Sequence, residues 1–84
     1  MSCAIVSNNI PSPQLREAVS KAICNGIGDK RGEWSVIVYQ APDYSGLAVR
    51  ITGPTGWRWN WTFFGEEQSP EFIQQRVANG VIAR

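Results

Sequence analysis

The sequence contains no histidine, so the chain cannot by itself assemble a His-based triad or a His-ligated metal site. Cysteine is almost as scarce. Cys3 and Cys24 are too few for a disulfide scaffold and stand at no metal-ligand spacing. As unpaired thiols they fit a reducing cytoplasm. A bridge between them requires the N-terminal segment to lie beside the end of the first helix. No apolar run approaches the roughly 20 residues of a transmembrane helix. The opening Met1-Ser2-Cys3-Ala4-Ile5-Val6-Ser7 lacks the basic and long apolar regions of a signal peptide. These features together predict a cytoplasmic protein without membrane contact.

Charge is also sparse. Only 18% of residues are charged and the net charge is +1, which removes the large positive field of a typical nucleic-acid binder. The seven acidic residues are scattered over caps and loops, and Glu66-Glu67 are adjacent rather than opposed across a cleft. Cys24 has no histidine to serve as its base. Catalysis is therefore not expected, and neither is a cofactor or a bound metal.

What the chain does have is aromatic weight in one place. It is 84 residues long, a single domain spanning 1–84, and 43% hydrophobic. A domain this short buries only about 60% of its unfolded surface, so a few large side chains count heavily. Three of the four tryptophans fall at alternate positions in Trp57-Arg58-Trp59-Asn60-Trp61-Thr62-Phe63-Phe64. Alternation at period two is the strand signature. Trp57, Trp59, Trp61 and Phe63 share one face, expected to be the core. Arg58, Asn60, Thr62 and Phe64 share the other.

Around this strand the order reads helix, three-stranded antiparallel meander, helix. Residues 1–11 are read either as a flexible arm or, over Cys3 to Val6, as a short extra edge strand. Ser12 and Pro13 form an N-cap and first helical position. Leu15, Ala18, Val19, Ala22 and Ile23 give that helix one apolar stripe, and Asn25-Gly26 is expected to end it. Gly28-Asp29-Lys30-Arg31-Gly32 is a charged connection to a strand from Trp34 to Gln40. A second strand runs from Leu47 to Thr52. Gly53-Pro54-Thr55-Gly56 predicts a three-residue hairpin loop: a type I turn, then a left-handed glycine. That loop pairs Ile51 with Trp59, Val49 with Trp61 and Leu47 with Phe63. A loop one residue shorter or longer would set Arg50 and Thr52 beside the tryptophans. Ser69-Pro70 opens a second helix, expected to stop at Asn79-Gly80, and Val81-Ile82-Ala83 is an apolar tail.

This α-β-β-β-α order resembles that of double-stranded-RNA-binding domains. Where those carry a basic cluster at the start of the last helix, Glu66-Glu67-Gln68-Ser69-Pro70-Glu71 stands here, so the resemblance stops at topology. Tyr44-Ser45 with Pro54-Thr55-Gly56-Trp57 is similar to MbtH-like proteins, small partners of adenylation enzymes. Their tryptophan after Tyr-Ser is replaced by Gly46-Leu47-Ala48, and the first helix is extra. Neither family is adopted.

The expected function is therefore binding. The face opposite the tryptophans carries Arg50, Arg58, Asn60 and Thr62, with Tyr39 joining from the first main strand. Arginine and tyrosine are enriched at interface hot spots. The expectation is a small accessory or inhibitory factor that contacts a protein partner through this polar sheet face. The alternatives are a nucleic-acid-binding module using Lys30, Arg31, Arg50 and Arg58, and a homo-oligomer. The latter would form through an unprotected sheet edge, the N-terminal arm or the C-terminal tail.

Overall fold

A computed structural model describes residues 2–82. It is a small α+β domain in which two helices cover one face of a four-stranded mixed sheet. The elements are β1 (Ser2–Asn8), α1 (Pro13–Ile27), β2 (Glu33–Gln40), β3 (Gly46–Thr52), β4 (Arg58–Phe64) and α2 (Pro70–Ile82). The sheet order follows the chain, β1-β2-β3-β4. No helix among the described residues is long and apolar enough to cross a membrane.

The sequence predicts three antiparallel strands; the fold has a fourth, parallel one. β1 pairs with β2 in parallel, placing Cys3 beside Trp34 and Ile5 beside Val36. Helix α1 is then the crossover of a β-α-β unit, the connection that parallel neighbours require. Of the two readings of the N-terminal segment, the extra edge strand therefore holds and the flexible arm does not; the strand is parallel and longer than Cys3 to Val6. A bulge at Val6 breaks its ladder between Ile5 and Ser7.

The β3–β4 hairpin has the predicted register: Ile51 opposite Trp59, Val49 opposite Trp61, Leu47 opposite Phe63. Its turn differs in detail. Thr55 as well as Gly56 is left-handed, with φ of 59° and 78°. The Thr55 hydroxyl donates to the Pro54 carbonyl at 2.6 Å. Loop length is unchanged, so the register survives.

The core lies between the sheet and both helices. Val19, Ile23 and Ile27 of α1 and Ile73, Val77 and Val81 of α2 pack on Trp34, Val36, Val38, Leu47, Val49, Ile51 and Phe63. The main tryptophan of this core is Trp34, which is 1% exposed. Its indole N–H donates to the Arg31 carbonyl at 3.1 Å, and its ring meets Trp57 edge-on at 5.4 Å. The expected tryptophan core is corrected accordingly. Trp57, Trp59 and Trp61 do lie on the helix-covered face, but β4 is the outermost strand, and the helices reach fully over Phe63 alone. Trp57 and Trp59 are half-buried and Trp61 is 41% exposed.

Both helices outrun their predicted ends, and for the same reason. Gly26 is a notch, not a stop: a Cβ there would sit 2.8 Å from the Gln74 carbonyl and 2.9 Å from Val77 of α2. Helix α1 continues one residue further and closes with the Gly28 N–H donating to the Cys24 carbonyl at 3.1 Å. Gly80 likewise makes room for the Trp59 indole, and α2 runs on to Ile82 with Val81 buried. The predicted tail is therefore helical as far as Ile82; Ala83 lies outside the described residues.

Cys3 of β1 and Cys24 of α1 form a disulfide, with Cα atoms 5.9 Å apart. The expectation of idle thiols is replaced by a covalent staple between the first strand and the helix that follows it. Disulfides persist mainly in oxidising compartments, so the free-thiol argument for a cytoplasmic location falls away.

Candidate functional site

With both helices on one side, the other side of the sheet is bare. Its composition follows from alternation and register. Ile37 of β2 stands next to Arg50 of β3, which stands next to Asn60 of β4. One row along, Tyr39 neighbours Ala48, and Ala48 neighbours Thr62. In the other direction Ser35, Thr52 and Arg58 line up. Five of the seven sequence-predicted site residues, Tyr39, Arg50, Arg58, Asn60 and Thr62, are thereby gathered on one open surface, and all five are exposed.

Small residues shape this surface. Ala48 separates Tyr39 from Thr62, leaving a shallow depression over β3 that is bordered by Ile37, Arg50 and Asn60. Gly46 lies under Phe64, whose ring would come within 3.3 Å of a Cβ at that position. Phe64 stays 60% exposed. No side-chain hydrogen bond or ion pair among the described residues engages Tyr39, Arg50, Arg58, Asn60 or Thr62. Two guanidinium groups therefore stand with all their donors directed to solvent, amid exposed apolar and aromatic side chains.

Lys30 and Arg31 are placed differently. They lie in the exposed loop between α1 and β2, off the sheet surface. A Cβ at Gly32 of this loop would collide with the Pro54 ring. The loop thus abuts the β3–β4 turn, at the end of the sheet that carries Thr52 and Arg58.

The far end of the sheet is held by a chain of amides. The Gln40 N–H donates to Asn9 Oδ1 at 2.6 Å, and Gln40 Nε2 donates to Gln68 Oε1 at 2.8 Å. Gln68 Nε2 in turn donates to the Tyr44 carbonyl at 3.2 Å. This ties the ends of β1 and β2 to the β2–β3 turn and to the short 3-10 turn after β4. Within the β2–β3 turn, hydrogen bonds from the Ser45 side chain and then its backbone hold the Asp43 carboxyl below its usual range. The bare face is thus a preorganised surface between two secured ends.

Sequence reasoning left Ile37 and Phe64 out of the site. Ile37 is 40% exposed and Tyr39 53%, so β2 is covered on one side only. The apolar character of both its faces was the available signal for Ile37. Phe64 falls on the Arg58 face by simple alternation, and Gly46 opposite it marks the space its ring fills.

Comparison with protein-family models, with curated proteins and with solved structures finds no match to this chain.

Proposed function

We propose that this protein is a non-catalytic binding factor, of an accessory or inhibitory kind, that docks a protein partner on the open face of its sheet. The carrying observation is the pair of unpartnered arginines, Arg50 and Arg58, set among exposed Ile37, Tyr39 and Phe64. Exposed aromatics beside free guanidinium groups are the composition of interface hot spots. Aromatic rings supply contact area, while each arginine offers a planar fork of donors matched to a carboxylate. A partner that presents acidic side chains around an apolar patch would satisfy both. Nucleic acid fits less well, because Glu33 shares the open side of β2 and Glu66-Glu67 stand one residue beyond β4, while the net charge is only +1.

A photoreactive amino acid at position 39, exposed on the open face but two strands in from the β4 edge, tests the reading in extracts of the native host. The expected result is a discrete, protease-sensitive adduct that disappears in the Arg50→Ala, Arg58→Ala double variant, whose folding is unchanged. An adduct removed by nuclease, or one that survives the double substitution, overturns it.

A further inference from the structure

The two edges of the sheet are not alike. The β1 edge is interrupted by the Val6 bulge, a common way of blunting an edge. The β4 edge is seven residues of regular strand without proline or bulge, and it carries the half-exposed Trp59 and Trp61. We infer that β4 pairs antiparallel with β4 of a second copy of this chain, in one register centred on Asn60.

The register follows from which amides face outward. The Gly53 N–H donates to the Trp57 carbonyl at 2.7 Å across the hairpin. Main-chain groups alternate in direction along a strand, so Trp57, Trp59, Trp61 and Phe63 address β3. Those of Arg58, Asn60, Thr62 and Phe64 address the open edge. The Phe64 N–H is already taken, donating to Glu67 Oε1 at 3.2 Å. Three outward residues remain: Arg58, Asn60 and Thr62. A two-fold axis at Asn60 pairs Asn60 with Asn60 of the second copy, and Arg58 with its Thr62. Each hydrogen-bonded pair of this kind exchanges two bonds, so the three free residues are all used and the Phe64 cap is left intact. Centring on Trp61 instead would require the occupied Phe64 amide. Centring on Arg58 would oppose two like charges, which is destabilising.

The same register accounts for the aromatic row. Trp59 falls opposite Trp61 of the second copy, and Trp61 opposite its Trp59, in the closer non-hydrogen-bonded pairs. Within one chain these rings already stack at 6.3 Å and 12°, with Arg76 4.6 Å over the Trp61 ring. Pairing extends the stack across the axis and covers the exposed edge of Trp61. Both helix layers fall on one side, so the two open faces join into a single eight-stranded surface.

Sedimentation equilibrium from micromolar to millimolar chain reads the assembly. The expected result is a concentration-dependent rise to twice the 9.3 kDa chain mass. Asn60→Pro removes the central outward N–H at an edge position where proline is tolerated, and it should return the mass to that of one chain with the circular dichroism unchanged. A nitroxide attached at Asn60→Cys reads the register directly, whether or not the proline variant folds. A single short spin–spin distance is expected at residue 60. A monomer at all concentrations would leave the edge for an extended peptide of another protein and overturn the inference. A dimer that lacks the short distance overturns it equally.

Discussion

Strands β2 and β4 carry the same message in sequence and play opposite parts in the fold. Each alternates, and each presents tryptophan on the helix-covered face. Trp34 of β2 is 1% exposed, Trp61 of β4 41%. The difference is not in the residues but in the neighbours. β2 has β1 on one side and β3 on the other, with both helices above. β4 has β3 alone, and the helix layer thins out over it. Alternation thus assigns a residue to a face, while its depth is set by strand order, which alternation does not report. An aromatic strand at a sheet rim is available for contact; the same strand at the centre is fully used in holding the fold.

The contrast can be broken most strongly at the tryptophans. Trp34→Ala is expected to cost about 3–5 kcal/mol, much of the stability of a domain of this size. Trp61→Ala is expected to cost about 1 kcal/mol in dilute monomer, roughly the worth of its cation–π contact with Arg76. Denaturant midpoints of the two variants measure the gap directly. Equal losses would mean that β4 is as central as β2.

The next largest effect concerns what anchors β1 beside β2. The Cys3–Cys24 bridge spans 21 residues of sequence. Closing a loop of that size stabilises by about 3 kcal/mol in the chain-entropy account. Reduction, or Cys3→Ser with Cys24→Ser, should lower the unfolding midpoint accordingly and loosen β1 first, leaving the β3–β4 hairpin paired longest. Amide exchange on the reduced protein checks that order.

The two helix glycines differ in the same way. Gly26→Ala improves helix propensity yet drives a methyl group against the Gln74 backbone, which cannot rotate away; about 1–3 kcal/mol of destabilisation is expected. Gly80→Ala pushes instead on the Trp59 ring at the half-exposed rim, so the expected loss is smaller. Thermal melts of the pair test whether the rim yields more readily than the centre.

Smaller still are the open-face changes. Arg50→Ala and Arg58→Ala should each move stability by no more than about 0.5 kcal/mol, because nothing in the fold leans on them. The least effect is at Asp43. Its folded-state pKa lies below its unfolded value, so the turn contribution is present above the unfolded pKa and is lost as pH falls through the lowered folded one. A Ser45→Ala variant should flatten that acid-side dependence.

Much of this was legible in advance. The hairpin register follows from two independent signals, loop length and alternation, which agree. That register also gathers Arg50, Arg58, Asn60 and Thr62 on one surface, and the β2–β3 pairing adds Tyr39. What stayed hidden shares one cause. The parallel partner of β1 lies across a helix, and no local pattern in Ser-Cys-Ala-Ile-Val-Ser-Asn points to Trp34. Without that pairing the disulfide could not be placed. Gly26 and Gly80 carry the local marks of helix stops, but their reason lies in elements distant in sequence. The open-face role of Phe64 needed only the alternation; its exposure needed the rim position of β4.

Strand β2 is spent on the fold, while β4 is free for contact. Native-state amide exchange at low and high protein concentration compares both strands in one experiment. The amides of Ile37 and Tyr39, which address β3, should be strongly and equally protected at both concentrations, opening only with the whole domain. Those of Arg58, Asn60 and Thr62 should exchange freely in dilute solution and slow markedly on concentration. Edge amides that are fast at both concentrations, or protected at both, would contradict that division.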